Sequence, residues 1–380
     1  MRTFVRRPNG LGFLGRVCCL AALLAPAGCA STDEGLAPER LTPAEAEGIA
    51  ALREMFRGPK ITADLQELAE VHSRLAGVED AGSLRGFLEG RLSLLEAADD
   101  ERRPKEKVSA LAEALAGEGG IRIEAGAPDG PVEAIIARKG SKAAATHLAL
   151  LLCREINWPV AAVFVPGGLM LRWDDGKERF LFEADEGRAI PEDRIQARYG
   201  IPVETVIRGT YLSPLKPEEA AAALLLPLAQ TLRARKRFAA CGDVLDIAVR
   251  MLPRAPHPFL ERSRLASARA AVRDADRAAF LQDAARDDLR ALALDPAEES
   301  AAVELVGVYQ RLRRPDDAQQ ALESAVAARP RSAVLQRLRG RLFADQADAV
   351  HRKWEDQDRL SRRLYQSEAV RKEASAKAKQ

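Results

Sequence analysis

The sequence predicts an α+β core set between two helical regions. Three observations carry this. Residues 42–120 repeat apolar side chains at helical spacing between capping and breaking residues. From Ser141 a long apolar helical pattern gives way to three strand-like runs joined by turn residues. Beyond Pro214 the helical spacing returns, and Pro296 and Pro330 stand 34 residues apart. With 47% hydrophobic and 30% charged residues, the 380-residue chain has the composition of a folded protein of two or three domains. Its 58 basic and 56 acidic side chains nearly cancel, so no global field favours nucleic acid.

The first residues belong to targeting. Arg2, Arg6, Arg7 and Arg16 precede a short apolar core, VCCLAALLA, and then APAGCAS, the order of an export signal over residues 1–28. The apolar run falls short of the roughly 20 residues that a membrane span needs. Cleavage before Cys29 leaves a lipid-modified N-terminal cysteine, as in bacterial lipoproteins, whereas Ala25 and Ala27 also make a small-x-small site. The Ala27-Gly28-Cys29 run favours lipid attachment at Cys29, with Pro26 departing from the usual leucine. Either cleavage puts the mature chain in the cell envelope, outside the cytoplasm. In an organism that has an outer membrane, Ala30 in place of an aspartate favours that membrane. Residues 29–41 are polar with Gly and Pro, suited to a tether.

In the helical N-terminal region, 42–120, Thr42, Pro43 and Glu45 form a capping box that starts a helix to about Phe56. Helices over 62–76 and 83–97 follow, and Pro104 opens one through Ala116 that Gly117, Gly119 and Gly120 end. Within the core, 121–214, PVEAIIARKG reads as a short helix stopped by Gly140, and Ser141 caps KAAATHLALLLCREI. Strands are expected over 160–165, 169–173 and 179–184, the last two joined at DDGK. Cys153 and Cys241 sit in apolar helical patterns and read as buried small hydrophobes rather than a redox pair.

In the third region, 215–350, the 34-residue interval matches the tetratricopeptide period, and Val303, Val306, Gly307, Tyr309, Ala318, Leu322 and Ala325 fill its packing positions. A preceding unit begins near Phe259, and 218–253 is a looser helical pair. The end, 351–380, holds nine Lys/Arg and five Asp/Glu; Trp354, Leu360 and Leu364 continue a capping helix, after which EASAKAKQ is expected to fray.

VEAIIARKG, LALLLCREINWPVAAVFVPGGLMLRW, FEADEGRAIPEDRIQARYGIPVE and GTYLSPLKPEE occur in one order between Val132 and Pro217. On these stretches the chain resembles bacterial transglutaminase-like core proteins that carry tetratricopeptide repeats after the core. The resemblance implies a papain/transglutaminase-like core: a helix whose start bears a nucleophilic cysteine, a histidine on the next strand, and an acid on the strand after it.

The residues that match those places are not reactive ones. The nucleophile position falls near Lys142 in GSKAAAT, the histidine position is Gly168, and the nearest match to the acid is Glu183. Ser141 has a hydroxyl but no base at the proper place. His147 and Cys153 lie farther along the helix and read as packed side chains. His72, His257 and His351 show no paired ligand spacing, so no metal site is indicated, and no phosphate-cradling loop or other cofactor motif occurs. Glu183, Asp185 and Glu186 read as an exposed acidic turn rather than a cation site.

The expectation is therefore a noncatalytic, exported, lipid-anchored protein. Ser141, Lys142, Gly168 and Glu183 line a vestigial cleft, widened by the glycine, and the helical repeats bind a protein or peptide. An active amidase, peptidase or transglutaminase using other residues is the alternative, and a structural spacer lipoprotein a third.

Overall fold

A computed structural model describes residues 40–57, 64–78, 81–96 and 102–377. The export signal, Cys29 and all but the last two residues of the tether lie outside the described residues.

Four helices open the described chain: α1 (Pro43–Met55), α2 (Leu65–Leu75), α3 (Ala81–Glu96) and α4 (Pro104–Ala116). The capping box at α1 forms as expected, with Glu45 N donating to Thr42 Oγ1 at 3.3 Å and Thr42 N to Glu45 Oε2 at 2.7 Å. Helix α4 begins and ends at the expected residues, because Pro104 has no N–H to lose at a first turn and Gly117 takes an extended conformation past its end.

Strand β1 (Arg122–Ile123) and β2 (Lys139–Gly140) form a short parallel pair that flanks α5 (Pro131–Ala137). The expected stop at Gly140 is corrected: α5 ends at Ala137, and Arg138 turns the chain in the left-handed region with φ 55°. Gly140 is needed for another reason. A Cβ there would stand 2.7 Å from Ala134 Cβ and 3.2 Å from Ala144 Cβ, so the backbone can pass between α5 and the next helix only as glycine.

That helix, α6 (Lys142–Glu155), leads into an antiparallel sheet of β3 (Val160–Val165), β4 (Gly168–Asp174) and β5 (Arg179–Phe182), in that order. Val165 pairs with Gly168, leaving Pro166 and Gly167 as a two-residue turn. Proline presets φ at the first turn position and Gly167, at φ +92°, supplies the left-handed second one. Strand β5 stops at Phe182 rather than Ala184, because the chain turns there: Glu186 N and Gly187 N both donate to Glu183 O. Residues 211–215 then line the free edge of β3, with Leu212 N donating to Phe164 O and Leu215 N to Ala162 O. Buried Arg172 fixes the same passage by donating to Leu212 O at 2.6 Å.

After α7 (Glu192–Tyr199) and α8 (Val203–Ile207) the chain is helical: α9 (Pro217–Ala223), α10 (Leu225–Ala234), α11 (Phe238–Met251), α12 (His257–Val272), α13 (Arg277–Leu294), α14 (Glu299–Arg311), α15 (Pro315–Ala328) and α16 (Ala333–Lys377). The pair α14 and α15 lies between the two prolines of the 34-residue interval. The expected fraying from Glu373 is corrected, since α16 runs 45 residues to Lys377.

The hydrophobic core ignores the composition changes in the sequence. One cluster runs from Ile49 through the sheet to Leu265, and a second from Ala266 to Leu342, so packing divides inside α12. The architecture is thus α+β: a small antiparallel sheet embedded in helices and continued by a helical region.

Candidate functional site

Helix α6 starts at the place where the sequence put the vestigial cleft. Ser141 takes an extended backbone and its Oγ accepts from Ala143 N at 3.1 Å and Ala144 N at 3.3 Å. Those bonds satisfy the open amides of the first turn, so the hydroxyl is an N-cap. The next residue, Lys142, turns its Nζ to Glu183 Oε2 across 41 residues of chain.

Glu183 sits just past β5, its side chain 5% exposed. Its other oxygen, Oε1, accepts from Arg198 Nη1 of α7 at 2.9 Å. Asp185 Oδ2 adds a second carboxylate 3.9 Å from Lys142 Nζ. A buried carboxylate is tolerated when both oxygens meet charged donors, and here two half-exposed cations supply them. Lys142 and Glu183 therefore come together, as an ion cluster. As donor in this pair, Nζ presents protons to Glu183 and offers no lone pair to a carbonyl carbon.

Gly168 opens β4 at the sheet margin. A Cβ placed on it would find open space within 4 Å. Extending the β4–β5 register by one residue sets Glu183 opposite Met170, two residues along from Gly168 on the same face of the sheet. Of the four residues, Ser141, Lys142 and Glu183 are thus brought together, and among the described residues no hydrogen bond or ion pair joins Gly168 to them.

The reactive types nearby are occupied elsewhere. His147 is buried, with Nε2 3.1 Å from Leu65 O at the start of α2. Burial pushes its pKa down to about 4. His72 of α2 is buried too and pushed down to about 3, first by desolvation and then by His147 and Arg235. The Cys153 thiol is buried within α6, and burial pushes it up, the opposite of an activated sulfur. Cys241 is also buried, its Sγ donating to Ala229 O at 3.2 Å.

Sequence reasoning missed Arg198. Its signal was present as a helical RIQARY pattern after the acidic strand end, but nothing local tells which carboxylate it meets. A second missed contact fixes the C-terminal helices on the core: Tyr211 OH donates to Glu298, the N-cap residue of α14, in a buried hydrogen bond. His257 of α12 stacks on Phe164 of β3 at 4.1 Å between ring centres, across the same junction.

The helical region carries its own concavity, a groove of about 440 Å³ between α13, α14 and α15. Leu289, Leu292, Pro296, Leu305, Tyr309 and Ala321 form its apolar floor and walls, with Asp317, Gln320 and Ser324 among its polar lining. Leu289 is 49% exposed there.

No family model and no curated protein matches the chain. Among solved structures, one described as the crystal structure of menin that reveals the binding site for the Mixed Lineage Leukemia (MLL) protein aligns with 75% of this chain and 70% of that one, at 10% identity and a TM-score of 0.49.

Proposed function

We propose that this is a noncatalytic transglutaminase-like protein of the cell envelope, exported and lipid-anchored through Cys29, which binds a protein or peptide through its helical repeats and vestigial cleft. The observation that carries the reading is the state of the helix start. Ser141 is spent on capping α6, and Lys142 is held by a buried carboxylate that Arg198 also holds. A hydrolase or acyl transferase needs a nucleophile with a base in hydrogen-bond reach, and each group here has another partner. The groove between α13 and α15 supplies what a scaffold needs: apolar floor for anchoring side chains and a few polar groups for orientation.

Two measurements test the proposal. Thiol- and serine-directed activity probes leave the folded chain unlabelled; specific labelling abolished by Ser141→Ala or Cys153→Ala overturns the noncatalytic reading in favour of an active amidase or transferase. A photoreactive side chain replacing Gln320, in the native envelope, gives a defined crosslinked partner. Its failure to do so removes the binding role and leaves a spacer lipoprotein.

A further inference from the structure

The C-terminal helix leaves the repeats and keeps an apolar stripe with nothing against it. Leu335, Leu338 and Leu342 seat its first turns in the second hydrophobic cluster, and Gln346 reaches Gln319 of α15. From 347 to 371 the described side chains are exposed, apart from half-buried Asp358. Phe343, Val350, Trp354, Leu364 and Tyr365 are 47%, 68%, 61%, 60% and 81% exposed. At 100° per residue they fall within about 100° of arc, along about 33 Å of helix. Water-exposed apolar side chains at this spacing form a seam that a second helix can cover.

The charges beside the stripe indicate which helix. Residues 345–358 carry five acidic and two basic side chains, and residues 359–371 four basic and one acidic. One segment is thus net −3 and the next net +3. Copies laid parallel would set like against like, whereas an antiparallel pair sets each acidic segment on the other's basic one. Centred near Arg359, such a pair brings Gln357 opposite Ser361 and Trp354 opposite Leu364 within the seam. Gln357 and Ser361 then meet at the centre, where they can exchange a hydrogen bond, and Glu368 of the seam faces Val350 toward each end. The acidic half also argues against a membrane surface as the occupant, since anionic headgroups repel it.

We infer that the chain forms an antiparallel homodimer through residues 343–371 of α16, with the repeats held apart at either end. Sedimentation of the full chain across the micromolar range tests this. A concentration-dependent doubling of mass is expected. Trp354→Asp with Leu364→Asp weakens it at least about tenfold while the far-ultraviolet dichroism stays unchanged. Mixed and oxidised, a Trp354→Cys chain and a Leu364→Cys chain crosslink to each other; a parallel pair would crosslink like to like. A chain that remains monomeric throughout the range, or a dimer indifferent to the Asp double variant, overturns the inference. So does binding of the monomer to anionic phosphatidylglycerol vesicles through the same stripe.

Discussion

His147 offers the sharpest test of how the candidate site is built, because it is the imidazole carried by the same helix as Ser141 and Lys142. The perturbation is His147→Gln, which retains a side-chain N–H for Leu65 O and removes the titration. The ordinary pKa of 6.5 is lowered to about 4 in the fold, so the folded state holds the neutral ring. Its contribution is present in full above about pH 6.5 and is lost as pH falls toward 4, because the unfolded chain takes up the proton first. Between about pH 7.5 and about pH 5 the loss amounts to about 2 kcal/mol.

The pH curve of the natural chain alone would hide this. Asp288 is buried and pushed up to about 8 from 3.8, mainly by desolvation, so it works in the opposite sense: its folded form binds the proton, and stability rises as pH falls through 8. Over the same window that gain is about 3 kcal/mol. The quantity to measure is therefore the difference between the two chains, from urea unfolding followed by circular dichroism at each pH. The His147→Gln chain is expected to gain about 2 kcal/mol on the natural one in moving to pH 5. Adding His72→Gln, whose imidazole is lowered to about 3, brings the shift to about 4 kcal/mol. Parallel pH curves for all three chains would refute the burial argument and reopen His147 as a proton carrier.

Other expectations follow from the ion cluster, the cap and the groove. Lys142→Met and Arg198→Met each cost about 1 kcal/mol, since both cations are half exposed. Together they cost more than the sum, because Glu183 is then buried without a cation; additive losses in urea unfolding would contradict the shared pairing. Ser141→Ala lowers stability by about 1 kcal/mol through the lost N-cap, measured as a fall in the thermal midpoint. It leaves labelling by a serine-directed probe at its background level. Ala321→Arg fills the groove with a charged side chain and abolishes the crosslink from position 320 while the helical dichroism is retained; a persistent crosslink would move the binding surface elsewhere.

Local signals in the chain specified most of the elements. The Thr42 capping box, Pro104 before α4, Ser141 before α6 and the Pro166-Gly167 turn act within a few residues of themselves, so their effects can be read in order along the sequence. That Lys142 and Gly168 stand where the resemblance would put a cysteine and a histidine was legible too, because it needs no fold to be read. What Lys142 does instead was not readable there, since its partner lies 41 residues away and Arg198 reaches the same carboxylate from a third element. Arg138 likewise ends α5 early because Lys139 and Gly140 are drawn into a strand pair with 122–123.

The sequence by itself determined the sites where helices and turns begin, through caps, prolines and glycines whose energetics are settled by near neighbours. Only the tertiary structure decided that the helix start closes into an ion cluster, that the core runs unbroken into α12, and that α16 leaves its apolar stripe uncovered. Those outcomes depend on desolvation and charge pairing between residues far apart in the chain, and no local pattern encodes which distant group arrives.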